Sequence, residues 1–210
     1  MAYPTFTLDS NSLTTLGTAK EHLNIPEADT TQDNILKRMI NASSALIEEY
    51  IDRKILTRTY TEYYDGRGND RMLLSNWPVT KPTELWDDSS SEFTDSSNLI
   101  SLADYEVDGD GDTAIGIVLK GLRFGKGTRN IKVIYVAGYA TAPYIILESC
   151  LCHIEFMYTM RQDRRIGTQT KSKNEENITY RSQLPEFVQN MIDPYRRTEI
   201  PLAYRSVRNY

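Results

Sequence analysis

Apolar residues recur at three- and four-residue steps in two long stretches of this chain, and at two-residue steps between them. In the first stretch Ile35, Leu36, Met39, Ile40, Leu46, Ile47, Tyr50 and Ile51 share one side, which predicts an amphipathic helix running to about Asp52. Thr30 or Thr31 is its expected cap, and Asp33 complements the dipole of the first turn. Ala42, Ser43 and Ala45 are small enough for close packing, and the helix should be about 30 Å long. In the second stretch Ile146, Leu147, Cys150, Leu151, Ile154, Met157 and Tyr158 predict another long helix, with Thr141 as cap and Pro143 in its first turn. A short helix, Leu16 to Leu23, is expected behind Thr15, with Leu16, Ala19 and Leu23 as its stripe. A last one, Pro185 to Ile192, follows Ser182, turns Phe187, Val188, Met191 and Ile192 inward, and is closed by Asp193-Pro194. Leu8 to Leu13 is polar and extended.

Between the long helices the period shortens. Thr57 to Tyr64 reads as a strand, Asp65 to Asn69 as a hairpin loop, and Met72 to Leu74 as the returning strand. Trp77-Pro78-Val79 with Thr83 to Trp86 suggests a strand with proline at its margin, followed by a polar loop, Asp87 to Ser97. Tyr105 to Val107 and Ala114 to Leu119 form a pair joined by Asp108 to Asp112. Gly121 to Thr128 reads as a glycine-rich loop, and Ile131 to Val136, rich in β-branched residues, as a strong strand ended by Gly138. Gly167 to Asn177 lacks apolar residues and is expected to stay mobile. The pattern predicts an α+β fold, a helical core of about four helices with a large β-rich insertion, a small sandwich or barrel, between the second and third. The expected division is 1–56 and 139–197 for the core, 57–138 for the insertion and 198–210 for an extended tail.

Composition narrows the class. With 210 residues, 40% hydrophobic and 25% charged, the chain has the makeup of a globular domain, and no apolar run approaches the roughly 20 residues that span a bilayer. The start, Met1 to Thr5, has no signal-peptide pattern, and Cys150 with Cys152 makes no disulfide framework, so a reducing compartment is expected. A net charge of −5 argues against sequence-specific DNA binding. The charge is unevenly spread: ten acids and no Lys or Arg lie between Lys81 and Lys120, whereas ten basic residues face six acids from Arg161 onward.

Candidate chemistry is sparse. Asp108-Gly-Asp-Gly-Asp imitates a calcium loop but has Thr113 and Leu119 where glycine and a carboxylate belong. Gly121 to Thr128 lacks the spacing and the following helix of a phosphate loop. Cys150 and Cys152 diverge by about 200° on a helix and cannot share a metal. Neither His22 nor His153 sits in a nucleophile signature, so no enzyme, no cofactor and no metal or catalytic residue is expected. The tail, with Arg196, Arg197, Tyr204, Arg205, Arg208 and Tyr210, has three readings: nucleic-acid binding, a solvated end, or an arm that orders on docking. The mixture of Arg and Tyr fits the docking arm best.

Several stretches together resemble one family. Leu16-Gly-Thr-Ala-Lys-Glu-His-Leu, Ala42 to Ile51, Arg58 to Gly66, Leu73-Leu-Ser-Asn-Trp-Pro-Val, Val133 to Pro143, Leu184-Pro-Glu-Phe and Pro194-Tyr-Arg-Arg are similar, in this order, to the head-tail connector (adaptor, or head-completion) proteins of tailed bacteriophages. The resemblance implies a structural virion protein of the head–tail interface, assembled in the host cytoplasm. It implies a homo-oligomeric, dodecameric ring beneath the portal protein that extends the DNA channel and receives a downstream neck or tail-completion protein. Genomic DNA would pass without specific binding, which an acidic lining suits, and no membrane is involved. The large insertion and the tail past Arg197 lie outside the common pattern. The expectation is that the helices make the ring, because an acidic insertion repels its own copies. The rival reading is a carbohydrate- or host-binding module with Trp77, Trp86 and Tyr63 as stacking rings.

Overall fold

The computed structural model describes residues 5–163, 170–173, 176–179 and 184–196. The chain divides into a helical unit, Met1–Arg53 with Thr141–Arg197, and a β unit built on Lys54–Ala140.

In the helical unit, α1 (Leu16–His22) starts where Thr15 Oγ1 accepts from Thr18 N at 3.2 Å. Helix α2 (Asp33–Tyr50) is not capped as expected: Gln32 is its N-cap without a side-chain bond, while Asp29 accepts from Thr31 N and Oγ1 at 2.9 and 2.6 Å. Buried Lys20 crosses this corner, donating to the Glu27 and Asp29 carbonyls and pairing with Asp33 at 2.6 Å. Asn34 and Asn41, two turns apart on α2, hold the extended N-terminal segment through Phe6 N, Asp9 N and Thr7 O.

Helix α3 (Tyr144–Gln162) has Pro143 rather than Thr141 as its N-cap, and α4 (Glu186–Ile192) follows Pro185. Ser182 lies outside the described residues. Leu36, Ile40 and Ile47 of α2 meet Ile146, Cys150 and Ile154 of α3 in the core, which Val188 and Ile192 of α4 complete. Two expectations about faces fail. On α2, Ser43 and Ser44 are buried while Ala42 and Ala45 are exposed; on α4, Phe187 is 51% exposed. The first follows from polar partners that hydropathy ignores, since a serine with a hydrogen bond packs as well as an alanine. Within 167–177, expected to be mobile, β7 (Thr170–Lys173) pairs antiparallel with β8 (Glu176–Thr179).

The β unit contains β1 (Arg58–Arg67), β2 (Arg71–Leu73), β3 (Val79–Asp87), β4 (Tyr105–Asp108), β5 (Gly116–Leu119) and β6 (Lys126–Ala137). They form two antiparallel sheets, β1-β6-β3 and β2-β5-β4. The expected β1–β2 hairpin is therefore absent. β1 pairs with β6, and the turn after it carries the chain to the other sheet, where Asn69 and Asp70 carbonyls accept from Phe124 N and Leu119 N. The β4–β5 hairpin forms as the pattern predicts. β6 begins at Lys126, inside the stretch expected to be loop, and its alternating Ile131, Val133, Tyr135 and Ala137 are buried with Leu85, Ile117, Leu119 and Phe124 between the sheets.

Asn130 fixes the glycine-rich stretch. Its Oδ1 accepts from Gly66 N at 2.7 Å, and its Nδ2 donates to Asp87 Oδ1 at 2.9 Å and Gly125 O at 3.2 Å. A Cβ at Gly66 would overlap the Gly125 carbonyl oxygen, so glycine is required there. Gly138, at φ +109°, turns the chain out of β6 against Leu56. Among the described residues no helix is long and apolar enough to cross a membrane.

Candidate functional site

The surfaces rather than a cleft carry the functional signal, and the first is the root of the tail. Beyond α4 a 3-10 turn, Asp193–Tyr195, delivers Arg196 over the last residue of α2. The Arg196 guanidinium lies 5.4 Å from the Tyr50 ring centroid, and the Tyr50 hydroxyl donates to Asp193 Oδ1 at 2.7 Å, a bond that raises the phenol's pKa. Tyr50 thus clamps both sides of the turn. Arg196 is the one expected docking residue that can be placed; Arg197, Tyr204, Arg205, Arg208 and Tyr210 lie outside the described residues.

Chemically reactive side chains do meet, but in the interior. Ser43 Oγ is 3.0 Å from His153 Nδ1, donates to Cys150 O at 3.3 Å and accepts from Cys150 Sγ at 3.3 Å. Ser43, Cys150 and His153 are all fully buried, and burial raises the Cys150 thiol, so it stays protonated. Cys152 is also raised, by burial and then by Glu148 and Glu155. This cluster is a polar seam between α2 and α3 that no substrate can reach. It was missed in the sequence because Ser43 and His153 sit 110 positions apart, and the only hint was a serine inside an apolar stripe.

In the β unit two of the three stacking candidates, Tyr63 and Trp86, are engaged with neighbouring cations. Arg129 covers Tyr63 at 4.9 Å, Lys132 lies 5.5 Å from Trp86 and 5.8 Å from Phe93, and Tyr63 packs against Phe93 at 5.5 Å. The Trp86 indole donates to Glu84 at 2.9 Å, and Trp77 is half-buried. The acidic run is similarly occupied. Asp88 accepts from Ser90 N, Ser90 Oγ and Phe93 N at 2.8–2.9 Å, and its pKa is lowered, chiefly by the Ser90 hydroxyl. Asp95 accepts from Ser97 N, which lowers it too, and Asp87 holds Gly125 N at 2.6 Å. These three acids organise loops. The Asp108–Asp112 turn holds no metal-ligand cluster among the described residues.

The stretch Leu73 to Val79 is pinned by a second buried network. The Tyr64 hydroxyl donates to Glu62, Ser75 N donates to Tyr64 Oη at 3.0 Å, and Asn76 N donates to Tyr135 Oη at 3.1 Å. Burial first, and then the Glu62 charge, push both phenols far above their ordinary range. The network makes this loop a rigid landmark.

Comparison with known proteins supplies the rest. A model of the head completion protein family matches residues 12–198. A chain from the neck of an empty GTA particle computed with C6 symmetry shares the fold at TM-score 0.59 and 16% identity, over 98% of this chain and all of that one. A chain from the virion of a native gene transfer agent particle matches at TM-score 0.60 and 15% identity, over 94% and 96%. One from the neck of a native GTA particle computed with C12 symmetry matches at 0.56 and 17%, over 93% and 98%. None of the curated proteins matches the chain.

Proposed function

Because this chain belongs to the head completion protein family, we propose that it is a structural neck protein of a phage-type particle. It forms a dodecameric ring beneath the portal protein, extends the DNA channel, and offers the opposite rim to the next neck or tail-completion protein. The observation that carries this reading is its extent: the family match covers 12–198 and so takes in both the helical and the β unit. The likeness to chains from necks computed with C6 and C12 symmetry supports a ring. Residues 197–210, delivered from the Tyr50 clamp, act as the docking arm, since Arg pairs with carboxylates and Tyr buries large area with few rotatable bonds. The role needs no catalysis, and the buried Ser43–Cys150–His153 seam suits a structural part. Electron microscopy of the full chain mixed with its portal should reveal a closed ring on one portal face. Scattered single copies, or no binding, would overturn the reading.

A further inference from the structure

The acidic total of the insertion conceals a basic end. Arg67 stands opposite Lys126 at the far end of the β1–β6 pair from Arg58 and Ala137, near which the chain enters and leaves the β unit. Arg123 reaches the same turn, where its Nη1 donates to Gly68 O at 3.4 Å. The Lys126 stem lies along Gly68, its Cε 3.0 Å from where a Cβ would stand. All three cations are exposed, beside Leu122 at 47% exposure. Among the described residues neither Arg123 nor Lys126 pairs with a carboxylate, whereas Arg71 and Lys120 are each matched, to Asp108 and Glu106 at 3.3 Å.

The complement lies on the same unit. β4 is an edge strand, paired with β5 alone among the described strands. Its Glu106 side chain, 61% exposed, is paired with Lys120 in an exposed ion pair of the kind worth little, so it can exchange that cation for one from another copy. Asp110 follows in the exposed turn, and exposed Ile115 is bonded through its N–H to Asp108 O at 3.0 Å. Asp104 is tied to Lys120 at the basic end, while Asp108 pairs with Gly116 at the other, so the strand leads away from the basic turn. Within one copy the rigid sheet keeps Asp110 and the basic turn apart.

We propose that the basic turn of one copy, Arg67, Arg123 and Lys126, docks on the acidic β4 flank, Glu106 and Asp110, of the next copy. Two unlike patches give a heterologous contact, the kind that closes into rings. Leu122 and Ile115 place an apolar side chain beside the charges on each face, which suits a protein surface better than a duplex backbone that offers only phosphates and sugars. The contact is an alternative to the expectation that the insertion repels its copies, and it rests on the ring reading above.

Sedimentation of the full chain tests it. At about 50 mM salt the chain should associate, and at about 500 mM the association should weaken, because exposed pairs are screened. R123E/K126E and E106K/D110K should each shift the association midpoint by on the order of tenfold or more, with unchanged melting temperature. A one-to-one mixture of the two variants should recover association, since every contact is then again between opposite charges. The milder R123A/K126A should fall between, which guards against a folding defect. A chain that stays monomeric, reversals without effect, or a mixture that fails to recover would overturn the contact. So would loss of duplex-DNA binding as the sole consequence. The ring reading fails separately, if micrographs with portal reveal no ring.

Discussion

Asn130 illustrates how much a single side chain can organise. At 2% exposure it joins Gly66, Gly125 and Asp87, residues from three separate stretches. Replacing it with Ala orphans a buried N–H and a carbonyl, so Asn130→Ala should lower stability by about 2–4 kcal/mol, read as a fall in the urea midpoint. A loss under about 0.5 kcal/mol would mean that water or backbone motion replaces the network. Tyr64 and Tyr135 make a pH prediction. Their folded pKa values are raised above the unfolded value, so the stability they contribute is fully present below pH about 10 and is lost as pH rises beyond it. Tyr64→Phe should flatten that alkaline loss, and an unfolding midpoint that still falls as steeply between pH 9 and 11, on the order of wild type, would refute the assignment. Neither role was legible locally, because a tyrosine on a strand reads as packing and an asparagine before one reads as a turn.

Helix α2 shows how an element and its apolar stripe can be found correctly while the small residues beside the stripe are misplaced. Its apolar stripe predicts the helix, yet the choice between Ala42 and Ser43 for the interface depends on His153 and Cys150 across the packing. Ser43→Ala should therefore cost about 1–2 kcal/mol in thermal or denaturant unfolding, by leaving His153 Nδ1 without this bond. Ala42→Ser, on the exposed side, should stay within about 0.5 kcal/mol. The reverse ranking would mean that Ala42, and not Ser43, faces α3. The tail is likewise an element, and the Tyr50 clamp fixes its root at Arg196. Truncation after Arg196 should leave the melting temperature unchanged and abolish docking on portal-bearing heads. R205E/R208E should weaken docking and make what remains less sensitive to salt. Intact assembly by the truncated chain would reduce the tail to a solvated end.

At the scale of the molecule, the β unit is an insertion whose two ends meet. Thr57 N donates to Tyr139 O at 3.0 Å and Tyr139 N to Ile55 O at 2.8 Å, so a short Gly/Ser bridge can replace Lys54–Ala140. The remaining helical unit should fold and still bind portal, measured by co-sedimentation; a folded remnant that does not bind would assign portal docking to the β unit. By itself the sequence determined the four helices, the β-rich region between the second and third, the β4–β5 hairpin and the family, because each is written in local periodicity, turn residues or the order of short motifs. Only the tertiary structure decided that β1 pairs with β6 and not with β2, that Ser43 rather than Ala42 faces inward, that Asp87, Asp88 and Asp95 hold loops of the insertion, and that Arg67, Arg123 and Lys126 gather at one end. These depend on contacts between residues far apart in the chain, and a hydrogen-bonding partner 64 positions away leaves no trace in a local pattern of apolar and polar residues.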